Sequence, residues 1–293
     1  MPADIIDGKK IAVEIQDELK QRIIQLQGKG VNPKLVAILV GEDPASLSYL
    51  RGIGRSCTSV GVLTDTKQLP ADITQKDLLK NINELNNDST VHGILLLLPL
   101  PKHLNTLVAE SAISPDKDVD GTNPISTGKL LLGEETFFPS TPYGVQELLM
   151  RSGHNPDGKH VVIVGRSNIV GKPLMGILIQ KQKGANATVT VCHTGTKDLA
   201  AITQQADILV AAIGRAQAIT ANMIRSNTIV IDVGVNQIKD DSTGKFRLVG
   251  DVDFETVKEK AGAITPVPGG TGPVTSVMLM VNTVKAAEKL SGN

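Results

Sequence analysis

Residues Val161-Val162-Ile163-Val164 form an unbroken apolar run that passes without a spacer into Gly165-Arg166-Ser167-Asn168-Ile169-Val170-Gly171. A strand with no apolar/polar alternation is buried on both faces, which is the situation in a parallel sheet covered by helices. A glycine at the strand's end permits a tight turn, and the free amides at the start of the next helix can hold a phosphate. The same grammar recurs downstream. Apolar runs at 188–192, 208–211, 229–233 and 263–265 read as further strands, with helices beginning near Pro173, Thr196 and Thr220. This half of the chain reads as a Rossmann-like dinucleotide-binding domain.

The turn is not the common G-x-G-x-x-G pattern, because Ser167 stands where the second glycine would be. On spacing alone, an ordinary strand-to-helix turn remains the alternative. The second strand ends Cys192-His193-Thr194, with no carboxylate to bind ribose hydroxyls as NAD sites commonly have. Arg166 lies in the turn itself, and a guanidinium recognises phosphate in bidentate fashion. NADP is therefore favoured over NAD. The plain alternative for Arg166 is a solvated surface charge.

Upstream, residues 9–27 place Ile11, Ile15, Leu19, Ile23 and Leu26 on one helical stripe. A strand at 35–40, a turn at Gly41-Glu42-Asp43-Pro44, a helix over 45–60, a helix over 76–85 and a strand at 91–98 follow. Residues 114–142 are rich in Pro, Gly, Ser, Thr and Asp and read as a long functional connection, with only 129–132 regular. A last helix over 276–289 is expected to pack back on the first domain. The expected architecture is α/β with two domains and a cleft between them. An N-terminal substrate domain spans 1–140 plus 275–293, and the dinucleotide-binding domain spans 141–274.

Composition closes several routes. The 293 residues carry 30 basic and 30 acidic side chains, 2% aromatic residues and no Trp. Neither the charge nor a stacking platform makes a case for nucleic acid. The two cysteines, Cys57 and Cys192, are not a disulfide framework. No His/Cys cluster has metal-ligand spacing, so no metal is expected. The N-terminus lacks a signal-peptide core, and no apolar run approaches the roughly 20 residues that span a bilayer. A cytoplasmic protein is expected, with no membrane partner.

Four longer segments carry a family resemblance. Gly165 to Pro173 is similar to the cofactor signature of the methylenetetrahydrofolate dehydrogenase/cyclohydrolase family. Thr265-Pro266-Val267-Pro268-Gly269-Gly270-Thr271-Gly272-Pro273 resembles its C-terminal proline–glycine loop. Lys117-Asp118-Val119-Asp120-Gly121 resembles its linker motif, and Val40-Gly41-Glu42-Asp43-Pro44-Ala45-Ser46 resembles the start of its substrate-domain motif. The resemblance implies a homodimer that binds a tetrahydrofolate derivative and NADP. Such enzymes oxidise 5,10-methylenetetrahydrofolate and then hydrolyse the methenyl product to 10-formyltetrahydrofolate. By motif position, Tyr49 would stack on the folate, Asp120 would hydrogen-bond the pterin edge, and Pro268 and Gly272 would line the folate pocket. Gly165, Arg166, Ser167, Thr194 and Val235 would contact the dinucleotide.

Two departures bear on chemistry. The family's acid–base lysine, four residues after the tyrosine, is Ile53 here, and the glutamine before Leu-Pro-Leu-Pro is Leu97. Losing one member of a buried polar pair strands the other at roughly 1–3 kcal/mol, whereas replacing both by apolar groups can be nearly neutral. The paired change therefore reads as a repacked pocket. Hydride transfer rests largely on positioning, but hydrolysis needs proton movements that a placed acid–base group accelerates by about 10²- to 10⁴-fold. The expectation is an NADP-dependent dehydrogenase with weak or lost cyclohydrolase activity. The alternatives are a paralogue recruited to other chemistry, or a non-catalytic folate- or NADP-binding protein. Gly52 and Gly54 flank Ile53 and predict an irregular helix or a closely approaching ligand. Smaller departures are Thr122-Asn123, Ser140, Gly195 and Thr271.

Overall fold

The computed structural model describes residues 2–239 and 244–292. The chain divides into two compact units, Met1–Val13 with Thr141–Thr275, and Glu14–Ser140 with Ser276–Asn293. The first thirteen residues, read from the sequence as part of the N-terminal domain, group here with Thr141–Thr275. The short strand Asp4–Ile5 pairs in parallel with Ala263–Ile264, which places this segment at the edge of the other unit's sheet.

That sheet has six parallel strands in the order Asp4–Ile5, Ala263–Ile264, Ile229–Asp232, Ile208–Ala211, His160–Val164, Thr188–Cys192. Val161, Val162 and Ile163 are fully buried, as their unbroken apolar run requires. The chain moves outward from His160–Val164 to Thr188–Cys192, then returns to the other side for Ile208–Ala211. This reversal is the topological switch point of a doubly wound sheet, where ligands sit beyond the strands' carboxyl ends. Two expected helices are shorter or later than their sequences imply. The segment near Thr196 becomes helical at Leu199–Thr203, and the one near Thr220 is a single 3₁₀ turn, Ala221–Met223. An antiparallel pair, Asn236–Lys239 with Phe246–Val249, was not anticipated.

The second unit carries a three-stranded parallel sheet in the order Leu63–Leu69, Lys34–Val40, Gly93–Leu96. The helix Gln75–Asn87 covers it, burying Leu78, Ile82 and Leu85. The segment 114–142 is more regular than expected. Asn123 caps a helix Pro124–Leu132, its side chain accepting from the Ile125 amide at 2.7 Å, and Gly133 ends that helix in the left-handed conformation at φ 74°. The last helix starts earlier than expected, spanning Thr271–Leu290, and its residues from Ser276 onward group with this unit. Gly52 and Gly54 do not break their helix, which runs continuously over Pro44–Val60. Among the described residues, no helix is long and apolar enough to cross a membrane. Cys57 and Cys192 are free and buried.

Candidate functional site

In the three-stranded unit, the site is built where two parallel strands end. The chain leaves Lys34–Val40 through Gly41 at φ 81°, and Asp43 caps the next helix by accepting from the Ser46 amide at 2.8 Å. Pro44 occupies the first helical turn, where its missing N–H costs nothing. The Ser46 hydroxyl lies 2.9 Å from Asp43 Oδ2 and 3.3 Å from the Leu98 carbonyl oxygen, so the helix start is held against the segment leaving Gly93–Leu96. Tyr49 and Ile53 lie on the following two turns of the same side, at helical spacing from Ser46.

Ile53 is 3% exposed and Leu97 is 4% exposed, with the Leu97 amide donating to the Ile38 carbonyl at 3.0 Å. Both are core side chains with no titratable proton. Tyr49 is 48% exposed as a residue, yet packing around its phenol, and then the negative Asp120 carboxyl, push its pKa up to about 12. Asp120 is thus an electrostatic neighbour of Tyr49. Burial, and next the Asp118 carboxylate, raise the Asp120 pKa to about 7, while a hydrogen bond from Ser140 Oγ at 3.4 Å opposes the rise.

Asp120 owes its place to the turn that follows. Gly121 has φ 66°, and a Cβ there would lie 2.8 Å from the Pro139 nitrogen, so only glycine fits. Asp118 is 1% exposed and accepts from the Thr122 and Asn123 amides at 3.1 and 2.9 Å. Asn282, 1% exposed, donates to the carbonyls of Val119 and Phe138, each at 2.8 Å. The sequence gives no sign of the Asn282 contact, which bridges 144 and 163 positions.

In the six-stranded unit, the candidate cofactor residues all follow strand carboxyl ends. Gly165, Arg166 and Ser167 leave His160–Val164, Thr194 leaves Thr188–Cys192, and Val235 leaves Ile229–Asp232. Gly165 has φ 146°, and a Cβ on it would stand 2.2 Å from the Ala212 carbonyl oxygen beyond Ile208–Ala211. Gly171 opens the helix Gly171–Leu178, and a Cβ there would stand 2.0 Å from the Gly165 carbonyl. These two glycines let the turn close tightly at the switch point. The helix has no side-chain cap at Val170, but the Lys172 amide donates to the Ser167 carbonyl at 3.1 Å and Pro173 has no N–H, so of the first three helical positions only Gly171 offers an amide to an anion. Arg166, Ser167, Thr194 and Val235 are exposed along this edge. This edge fits a dinucleotide phosphate.

The proline–glycine loop is anchored at both ends to one residue. The Asp232 amide donates to Thr265 Oγ1 at 2.7 Å, and Thr271 Oγ1 donates to the Asp232 carbonyl at 2.6 Å. The unusual Thr271 therefore ties the loop down. Pro268 and Gly272 are exposed on it. Gly195 closes the turn after Thr188–Cys192, its amide donating to His193 Nδ1 at 3.0 Å. Among the described residues no group of three His, Cys, Asp or Glu side chains is placed to hold a metal ion.

Comparison with known proteins finds a family match on each half of the chain. Residues 6–120 match the catalytic domain of tetrahydrofolate dehydrogenase/cyclohydrolase, and residues 139–291 match its NAD(P)-binding domain. The chain is 53% identical over 292 residues to the bifunctional protein FolD of Syntrophus aciditrophicus, covering 100% of both. It is 50% identical to the FolD of Moorella thermoacetica, covering 99% of this chain and 100% of that one. The FolD crystal structure from Campylobacter jejuni superposes with a TM-score of 0.92 at 44% identity, covering 98% of this chain and 99% of that one. The Trypanosoma brucei FolD, solved with NADP and an inhibitor, gives 0.90 at 37%, covering 99% and 98%. The chain is an enzyme of the tetrahydrofolate dehydrogenase/cyclohydrolase family.

Proposed function

We propose that this enzyme oxidises 5,10-methylenetetrahydrofolate to the methenyl form with NADP, and that its hydrolysis of the methenyl product is weak or lost. The observation that carries the second half is the burial of Ile53 and Leu97, at 3% and 4% exposure, in the positions where the family has lysine and glutamine. Arg51 and Arg55 are exposed on the same helix, and a guanidinium that stays protonated at neutral pH is a poor base in any case.

The two half-reactions ask different things of the chain. In the oxidation, the folate nitrogen's own electron pair expels the hydride from the methylene carbon. When bound, NADP supplies the acceptor. Tyr49 gives a flat face for stacking, and an ionised Asp120 accepts hydrogen bonds from the pterin's N–H groups. Their work is positioning, which alone can lower a barrier by several kcal/mol. In hydrolysis, water must lose a proton as it attacks the methenyl carbon, and a ring nitrogen must gain one as the C–N bond breaks. Neither Ile53 nor Leu97 can give or take that proton.

Arg166, exposed in the first turn, and the absence of a carboxylate after Thr188–Cys192 support NADP over NAD. The family resemblance also supports a homodimer, which sedimentation of the purified chain would check. The deciding experiment follows NADPH and methenyl-folate together after mixing enzyme, methylenetetrahydrofolate and NADP, then supplies methenyl-folate alone. NADPH formation with accumulating methenyl-folate is expected. Absence of turnover at high enzyme concentration would overturn the dehydrogenase, and rapid decay of methenyl-folate would overturn the lost hydrolysis.

A further inference from the structure

Asp251 is fully buried and collects four hydrogen-bond donors on one carboxylate. Its Oδ2 accepts from the amides of Ile213 at 2.5 Å and Gly214 at 2.8 Å. Its Oδ1 accepts from the Arg215 amide at 2.9 Å and from Asn236 Nδ2 at 2.8 Å. Three successive amides converging on an anion form a nest of the kind that elsewhere binds phosphate. Here the protein fills it with its own carboxylate. Residues 213–215 leave the strand Ile208–Ala211 immediately after Ala212, whose carbonyl packs against Gly165.

Asp232 extends this arrangement. Its Oδ1 accepts from the amides of Gly234 and Asp251 at 2.9 and 3.0 Å, and its Oδ2 accepts from Val252 at 2.9 Å. Its main chain holds Thr265 and Thr271, as described above. The two carboxylates demand their glycines. A Cβ at Gly234 would lie 2.2 Å from the Asp251 carboxyl carbon, and one at Gly250 would lie 1.8 Å from Asp232 Oδ2. Two loops beyond the sheet therefore take their positions from these carboxylates, residues 213–215 and the turn bearing Val235, while the proline–glycine loop is tied to the Asp232 main chain.

We propose that Asp251, supported by Asp232, is a positioning residue for the cofactor half of the reaction, setting the loop 213–215 that borders the switch-point crevice. The inference rests on the reading that NADP binds along this edge. Every polar contact of the Asp251 carboxylate is with a donor. An isosteric amide would turn an N–H₂ against those donors and leave buried amides without an acceptor.

The test compares Asp251→Asn with Ile224→Ala in the full-length protein. Ile224 is also fully buried but precedes the amino end of Ile229–Asp232, the far edge of the sheet. Asp251→Asn is expected to raise KM for NADP by about tenfold or more, with KM for methylenetetrahydrofolate changed by less than about threefold. Ile224→Ala should lower the melting temperature and leave both KM values alone. Amide exchange should quicken at 213–215 in Asp251→Asn while the strand Ile208–Ala211 stays protected. Should Asp251→Asn fail to fold, Asn236→Ala removes one donor only and is expected to raise KM for NADP by a smaller factor. Unchanged KM for NADP in the variant that folds, or an equal rise in Ile224→Ala, would overturn the positioning role. Wild-type enzyme that does not bind NADP would overturn both this role and the cofactor reading.

Discussion

The Ser46 hydroxyl stands 3.3 Å from the Leu98 carbonyl oxygen, pinning the first turn of one helix to the residue that follows Leu97. Ile53 lies two turns along that helix from Ser46. The proposed replacement of a lysine–glutamine pair by Ile53 and Leu97 is therefore testable as a pair. Ile53→Lys alone puts an amine where the native side chain is 3% exposed. It is expected to lower stability by several kcal/mol or to hold a neutral lysine. Adding Leu97→Gln supplies a partner, so the double variant should melt above Ile53→Lys and gain methenyl-folate hydrolysis by about 10²- to 10⁴-fold. Equal hydrolysis by the wild type and the double variant would count against the proposal.

Asp120 sets folding and binding against each other as pH changes. Its carboxyl is raised from 3.8 to about 7 in the folded chain, chiefly by burial and next by Asp118. Between these values the folded state binds the proton more tightly than the unfolded state. The group's contribution to stability is therefore greatest below 3.8 and is lost as pH rises through 7. Asp118 and Asp232, each raised to about 6 chiefly by burial, act in the same direction. Asp120→Asn should accordingly raise the melting temperature at pH 8 and give little gain near pH 4. The folate contact proposed for Asp120 uses the ionised carboxylate, so KM for methylenetetrahydrofolate should climb as pH falls below 7. A KM that is flat from pH 6 to 8 would remove Asp120 from the folate-binding residues.

The strands with consecutive β-branched residues were legible because burial on both faces leaves no other pattern. Leu63–Leu69 was not, since Thr64, Asp65, Thr66, Lys67 and Gln68 are polar. Their strand lies at the edge of its sheet, pairing only with Lys34–Val40, and most of its residues are exposed. Asp4–Ile5 is two residues long and takes its conformation from a partner about 260 positions away, which local propensity cannot register. Gly165 and Arg166 stood out from the strand-to-helix turn itself, whereas Ser167, Thr194 and Val235 became candidates only through the family resemblance. The acids that hold the neighbouring loops did not stand out: Gly250-Asp251-Val252-Asp253 looks like any turn until the amides of 213–215 converge on it.

Gly52 and Gly54 separate an effect on stability from an effect on function. Apart from chain neighbours and the helix's own backbone, neither has a described atom within 4 Å of a built Cβ, and both sit inside a continuous helix. Packing therefore does not require glycine at either position. Alanine is expected to stabilise the helix by about 0.8–1 kcal/mol at each site, or roughly 2–4 °C per kcal/mol for a protein of this size. A rise in melting temperature together with a rise in folate KM would mean that a ligand approaches the helix backbone here. A rise in melting temperature alone would make the glycines incidental to binding.

In the proposed reading Arg166 carries the choice of nucleotide, and its removal should discriminate between the two. NADP differs from NAD by a ribose phosphate, and a guanidinium gains from that group a charge-assisted, bidentate contact that NAD cannot offer. Arg166 is exposed at the turn, so part of this interaction is screened by water and salt. Arg166→Gln is expected to raise KM for NADP by about tenfold, as loss of one such contact implies, and to leave KM for NAD nearly unchanged. The NADP effect should shrink as ionic strength rises. Equal losses with the two nucleotides would instead make Arg166 a support for the Gly165 turn, and the preference for NADP would then have to rest on the missing carboxylate after Cys192.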